Sequence, residues 1–116
     1  MLFRSIGNDG GADLSDALEV NKTLTELSLN YNEIGDQGAA RFAEVLKENS
    51  TLTKLHLTSC GISKDGGADL AGALQVNMTL TEFNLQKNKI GDQGAARFAE
   101  ALRVNKTSCH KITSLL

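Results

Sequence analysis

One period governs this chain: aligned to itself at an offset of 28 residues, three segments superpose without a gap. Residues 24–34 read LTELSLNYNEI, residues 52–62 LTKLHLTSCGI and residues 80–90 LTEFNLQKNKI, a shared pattern of LxxLxLxx(N/C)xI with Phe83 in one leucine slot. Ile6, Ile34, Ile62 and Ile90 keep the spacing, as do Asn21, Asn49, Asn77 and Asn105. A repeat this short cannot bury its own apolar face, so neighbours must stack and share one core. A second period lies over the first. Residues 34–49 match residues 90–105 at 13 of 16 positions, and residues 6–21 match residues 62–77 at 11 of 16, as if a two-repeat unit had been duplicated.

Each repeat reads as a strand followed by a helix. In Leu27-Ser28-Leu29 the apolar residues alternate, which buries one face of a short strand and wets the other. In residues 36–48 Ala39, Phe42, Ala43 and Leu46 fall at i, i+3, i+4 and i+7, one apolar stripe, with Arg41, Glu44 and Lys47 opposite. Asp36 and Asp92 are placed to cap helix N-termini, with Ser63 or Asp65 in the divergent repeat. Asn49 and its equivalents fall at helix ends, where a residue tolerant of the left-handed conformation is favoured. Gly11, Ala39, Gly67 and Ala95 are small enough to let the helix approach the strand layer. Strand, helix and parallel strand imply right-handed crossovers. The expected fold is α/β: a right-handed βα solenoid forming a horseshoe arc, with the parallel sheet on the concave face and the helices on the convex face.

These residues resemble the ribonuclease-inhibitor-type leucine-rich repeats of NOD-like receptors, the ribonuclease inhibitor, the Ran GTPase-activating protein and tropomodulin. The phrasing NxTLTxLxLxxNxIGDxGAxxxAxAL is most similar to the carboxy-terminal sensor repeats of NOD-like receptors. The resemblance covers roughly residues 6–105. It implies a protein–protein interaction scaffold, a sensing or autoinhibitory segment of a larger intracellular protein; the alternative it implies is a small-GTPase regulator.

Composition narrows the partner. The net charge of −2 and the pI near 5.6 give no basic surface for nucleic acid or anionic membrane. No apolar run approaches the ~20 residues that span a bilayer. The first six residues turn polar too soon for a signal peptide. Cys60 and Cys109 have no metal-ligand spacing, and free thiols in a reducing cytoplasm are the expectation. No cofactor and no metal site is expected, and the glycine runs at residues 7–11 and 64–67 match no phosphate-binding motif.

The solvent-facing strand positions are the candidate partner-binding site. Register sets Glu26, Lys54 and Glu82 in one column, Ser28, His56 and Asn84 in the next, then Asn30, Thr58 and Gln86, then Tyr31, Ser59 and Lys87. Tyr31, the sole tyrosine, fits an interface anchor. A general base needs a nucleophile and an orienting carboxylate, and Lys54, Thr58 and the flanking columns offer His56 no aspartate in an obvious orienting place, so no enzyme is expected. Asn32, Cys60 and Asn88 read as a structural ladder whose side chains bond the backbone groups that the turns leave unpaired. The four N-x-S/T sequons at Asn21, Asn49, Asn77 and Asn105 read as architecture, because the repeat needs Asn at the helix end and Thr before the strand.

Residues 1–107 are expected to form the repeat domain, with its first repeat truncated, and residues 108–116 a non-repeat tail. At an offset of 28 the slots of Leu80, Phe83 and Leu85 would hold Ser108, Lys111 and Thr113, which breaks the pattern. Poorly covered sheet ends leave the chain open to self-association.

Overall fold

The computed structural model describes residues 7–105 and 111–112. Helices and strands alternate along it: α1 (Asn8–Val20), β1 (Glu26–Ser28), α2 (Gly35–Leu46), β2 (Lys54–His56), α3 (Lys64–Val76), β3 (Glu82–Asn84), α4 (Gly91–Val104) and β4 (Lys111–Ile112). The strands form one parallel sheet in sequence order, β1-β2-β3-β4. Helix packs on helix in the same order, α1 on α2, α2 on α3 and α3 on α4. This is a mixed α/β fold in which each unit touches its chain neighbours.

The alternation in the strands sets the layers. Glu26 and Lys54 are exposed, Leu27 and Leu55 buried, and Ser28 and His56 half-buried. Leu27, Leu55 and Phe83 share one core with Leu29, Leu57 and Leu85, and the helix stripes close it with Phe42, Leu46, Leu70, Leu74 and Phe98. Phe83 and Phe98 meet edge to face, with centroids 6.1 Å apart and planes at 71°. That aromatic geometry adds to the burial energy of both rings. The ladder runs past the strands: Thr53 N donates to Thr25 O, Leu29 N to His56 O and Tyr31 N to Thr58 O.

Beyond the strands the chain turns through left-handed residues. Tyr31, Ser59 and Lys87 take φ of 63°, 53° and 58°, one per unit at the 28-residue spacing. Each is non-glycine, so the turn carries a modest backbone cost that its hydrogen bonds offset. The Tyr31 and Ser59 amides donate across the sheet to Thr58 O and Gln86 O.

The glycines expected to admit the strand layer do something else. A Cβ at Gly11 would stand 3.3 Å from Ile34, and one at Gly67 3.0 Å from Ile90. They make room for the isoleucine that precedes the next helix.

The tail holds a strand where the 28-residue offset places none. Glu82 pairs with Lys111 and Phe83 with Ile112, an offset of 29 where Lys54 pairs with Glu82 at 28. One extra residue moves Ile112, not Lys111, opposite Phe83. A one-residue slip exchanges the faces of a strand, so the apolar pattern is invisible until the insertion is allowed for. The truncated repeat expected at the amino end falls on residues 1–6, outside the described residues.

Candidate interaction surface

Pairing in the sheet aligns the columns at Glu26, Lys54 and Glu82 and at Ser28, His56 and Asn84. Lys54 Nζ lies 3.9 Å from Glu26 Oε1, an exposed pair worth at most about 1 kcal/mol. Glu82 turns the other way, along the diagonal: its Oε2 is 2.8 Å from His56 Nε2, and both side chains are less than a third exposed. His56 therefore has a carboxylate partner, a glutamate rather than the aspartate missing from its surroundings in the sequence. The partner sits two positions back on the next strand, within reach of long side chains.

The third column is more structural than its position suggests. Asn30 Oδ1 accepts from Thr58 N at 2.7 Å, and Thr58 Oγ1 donates to Asn84 Oδ1 at 3.0 Å. Thr58 is 5% exposed and does not face solvent as expected. Asn84 Oδ1 also accepts from the amide of Gln86, whose side chain is exposed. In the fourth column Tyr31 is 68% exposed, and Lys87 Nζ sits 5.9 Å from its ring centroid, across the small side chain of Ser59. That is cation–π range. The face thus offers Glu26, Lys54, Tyr31, Gln86 and Lys87 outright, with Ser28, His56, Asn30, Asn84 and Glu82 half-buried behind them.

Asn32, Cys60 and Asn88 are buried behind this face. Asn32 Nδ2 donates to Leu29 O, and Asn88 Nδ2 donates to Leu57 O and Leu85 O at 2.7 and 3.0 Å. Asn88 Oδ1 accepts from the amides of Cys60 and Ile62. Cys60 Sγ donates to Leu29 O at 3.1 Å. Burial pushes its thiol up to about 11, although nearby backbone amides pull the other way.

A second row runs along the opposite end of the strands, where the sequence suggested only helix ends. Asn77 Oδ1 accepts from the amides of Thr79 and Leu80, while its Nδ2 donates to Leu46 O and Asn49 O of the preceding unit. Asn49 repeats this with Thr51, Leu52 and Leu18, and Asn105 reaches back to Leu74 O and Asn77 O. The helix ends at Asn21, Asn77 and Asn105 are extended, not left-handed, because the side chain rather than a turn satisfies the backbone. Of the four sequon asparagines, 49, 77 and 105 are buried with Nδ2 engaged, and Asn21 is exposed.

Asp36 also works between units. It does not cap its own helix, whose N-cap Ile34 makes no side-chain bond. Its carboxylate accepts from Ser63 N at 2.7 Å, Ser63 Oγ at 2.5 Å and Gly66 N at 3.2 Å, and so caps α3. Burial raises its pKa, but the bonds from Ser63 and Gly66 outweigh this and leave the carboxyl below its ordinary 3.8. Among the described residues no cluster of three or more His, Cys, Asp or Glu suits a metal ion. No described helix is long and apolar enough to cross a membrane.

Stacked strand–helix units with buried leucines and an Asn/Cys row define a leucine-rich interaction fold. Residues 6–113 match the family model of the TMOD/LMOD leucine-rich domain, and the chain belongs to that family. That kinship carries the leucine-rich fold and tropomodulin's place among the resemblances, and gives no support to descent from NOD-like receptors. The structure of leiomodin-1 actin-binding site 2 is similar at 31% identity and a TM-score of 0.80, over 89% of this chain and 61% of that one. The tropomodulin C-terminal domain of Caenorhabditis elegans shares the fold at 19% identity and a TM-score of 0.78, over 95% of this chain and 70% of that one. The chain thus spans about three-fifths of the leiomodin-1 structure it matches. No curated protein matches the sequence.

Proposed function

We propose that this chain is an actin-binding interaction module, a non-enzymatic scaffold that meets actin on the exposed face of its sheet. The observation that carries the reading is the family match over residues 6–113, joined to the likeness, at 31% identity, to a leiomodin-1 segment described as an actin-binding site. The sheet face suits the role: it is charge-balanced, partly ordered by the Glu26–Lys54 and Glu82–His56 pairs, and carries the exposed ring of Tyr31. Aromatic anchors on a pre-ordered surface are what hot spots require. In this reading the units curve into a right-handed solenoid arc, sheet inside, within the cytoplasm. Residues 1–107 form the repeat domain and 108–116 the tail, of which Lys111–Ile112 adds β4 to the sheet; β1 is an edge strand of the described sheet, which favours assembly with further repeats or a second copy. A NOD-like receptor sensor segment and a small-GTPase regulator rest on the repeat phrasing alone.

The test is co-sedimentation with filamentous actin, paired with anisotropy on monomeric actin. Binding of the wild type and its loss in Tyr31→Ala/Lys54→Glu supports the reading. Absence of binding to either form, with the chain folded by circular dichroism, overturns it.

A further inference from the structure

A second surface lies on the edge of the molecule, where strands turn into helices, and its charge differs from that of the chain. Two adjoining grooves open there, of about 400 Å³ over the Ser59–Ser63 and Lys87–Lys89 turns and about 420 Å³ over the start of α4. They share Ser63 and Lys89. Lys64 links the second groove to a smaller one reaching Arg97. Lys87, Lys89, Lys64 and Arg97 thus follow one another along a continuous edge, with Asp65 and Asp92 as its carboxylates. None of the four cations makes an ion pair among the described residues; Lys87 rests on the Tyr31 ring. Even with Asp36, whose carboxylate is bonded to Ser63 at the shared wall, four cations against three carboxylates make a basic edge on a chain of net charge −2.

The chain contains its own control for whether the fold requires this charge. Residues 34–49 and 90–105 are near-copies, yet the turns that lead into them differ: Asn30-Tyr31-Asn32-Glu33 in one and Gln86-Lys87-Asn88-Lys89 in the other. The asparagine of the buried row is kept, while neutral Tyr31 gives way to Lys87 and the acidic Glu33 to the basic Lys89. Tyr31 adopts the same left-handed turn as Lys87, with φ of 63° against 58°, so the turn forms without lysine. The opposite edge differs in sign: the groove between the ends of α1 and α2 is lined by Glu19, Glu44 and Glu48 with Lys22.

We infer that the Lys87–Lys89–Lys64–Arg97 edge is a second docking surface, one that takes an extended acidic segment of a protein partner. Uncompensated cations along a shallow trough attract a carboxylate-rich chain and steer its approach, and the lysine stems cover its backbone. Lys87 belongs to the sheet face as well, resting on Tyr31, whereas Lys89, Lys64 and Arg97 lie on the edge alone, so the Lys64/Arg97 pair tests the edge apart from the sheet-face reading.

The experiment is fluorescence anisotropy with a fluorescein-labelled oligoglutamate peptide, run on the full chain across a salt series. In Lys87→Tyr/Lys89→Glu, which installs the residues of the earlier turn, affinity is expected to fall about tenfold and the salt dependence to flatten. Lys64→Gln/Arg97→Gln, which leaves the turn untouched, is expected to weaken binding in the same direction. Lys22→Glu/Lys47→Glu alters charge away from this edge and is expected to bind as the wild type does. Equal loss in all three variants would reduce the effect to bulk charge and overturn the proposal. So would unchanged binding in the first two, or poly-uridine bound as tightly as the peptide with the same sensitivity to the variants. Self-association without peptide binding, abolished by Lys87→Tyr/Lys89→Glu, would make a second copy the occupant and overturn it too. Actin co-sedimentation of Lys64→Gln/Arg97→Gln, which leaves the sheet face intact, separates the two sites.

Discussion

At the scale of single residues, stability in this chain depends on polar side chains that reach from one unit to the next. Asn77 satisfies two amides in its own turn and two carbonyls behind it. Truncation leaves buried backbone groups without partners, so Asn77→Ala is expected to cost about 3 kcal/mol, read as a shift in the urea midpoint. Asn21→Ala, at the exposed end of the same row, is expected to cost about 1 kcal/mol. Asp36 adds a pH dependence. Its folded pKa lies below the ordinary 3.8, so its contribution is present above that value and is lost as pH falls through the folded pKa. The wild type is expected to lose stability on acidification below about pH 4 more steeply than Asp36→Ala. Equal slopes in urea titrations of both would remove Asp36 from that role. Cys60, buried and with its thiol pushed up to about 11, is expected to resist a thiol reagent at pH 8 until the chain unfolds.

At the scale of elements, the glycines of α3 separate packing from propensity. A Cβ on Gly66 would stand 2.6 Å from Asp36 Oδ1 and 2.9 Å from Ile62, whereas one on Gly72 meets nothing within 4 Å. Gly66→Ala must displace the carboxylate that caps its helix and is expected to lower the melting temperature. Gly72→Ala relieves only backbone entropy and is expected to stabilise by roughly 0.5–1 kcal/mol. Melts of equal direction for the two would contradict this division. The elements themselves were legible in the sequence, because an apolar side chain in the wrong phase of a strand or helix cannot be buried: β1, β2 and β3 carry the alternation and the helices the 3–4 stripe. Partners chosen by side-chain torsion were not legible. Asp36 could bond its own helix or the next, and only packing decides. Glu82 could join Lys54 or His56, and the diagonal wins. Asn49 and its equivalents mark helix ends in one dimension, and their bridging to the preceding unit exists only in three. β4 escaped for a simpler reason, an inserted residue that a fixed period of 28 cannot accommodate.

At the scale of the whole molecule, the repeat separates what the fold uses from what it leaves open. The Leu, Ile and Asn rows are committed to the core and to backbone bonds, and substitutions there are read as stability. The sheet face and the basic edge lie outside those rows, which is why their columns diverge between units that otherwise copy one another. Thr58 shows the boundary between the two, sitting in a surface column yet buried by bonds to Asn30 and Asn84. The same separation leaves the partner unreadable from the repeat, and the proposal of actin rests on the family match instead. The most direct measurement is hydrogen–deuterium exchange of the full chain with and without filamentous actin. Slowed exchange is expected in peptides covering residues 24–33, 52–61 and 80–89, with the outer faces of α2 and α3 unchanged. Protection confined to the helices, or no protection at saturating actin, would contradict the assignment of the sheet face.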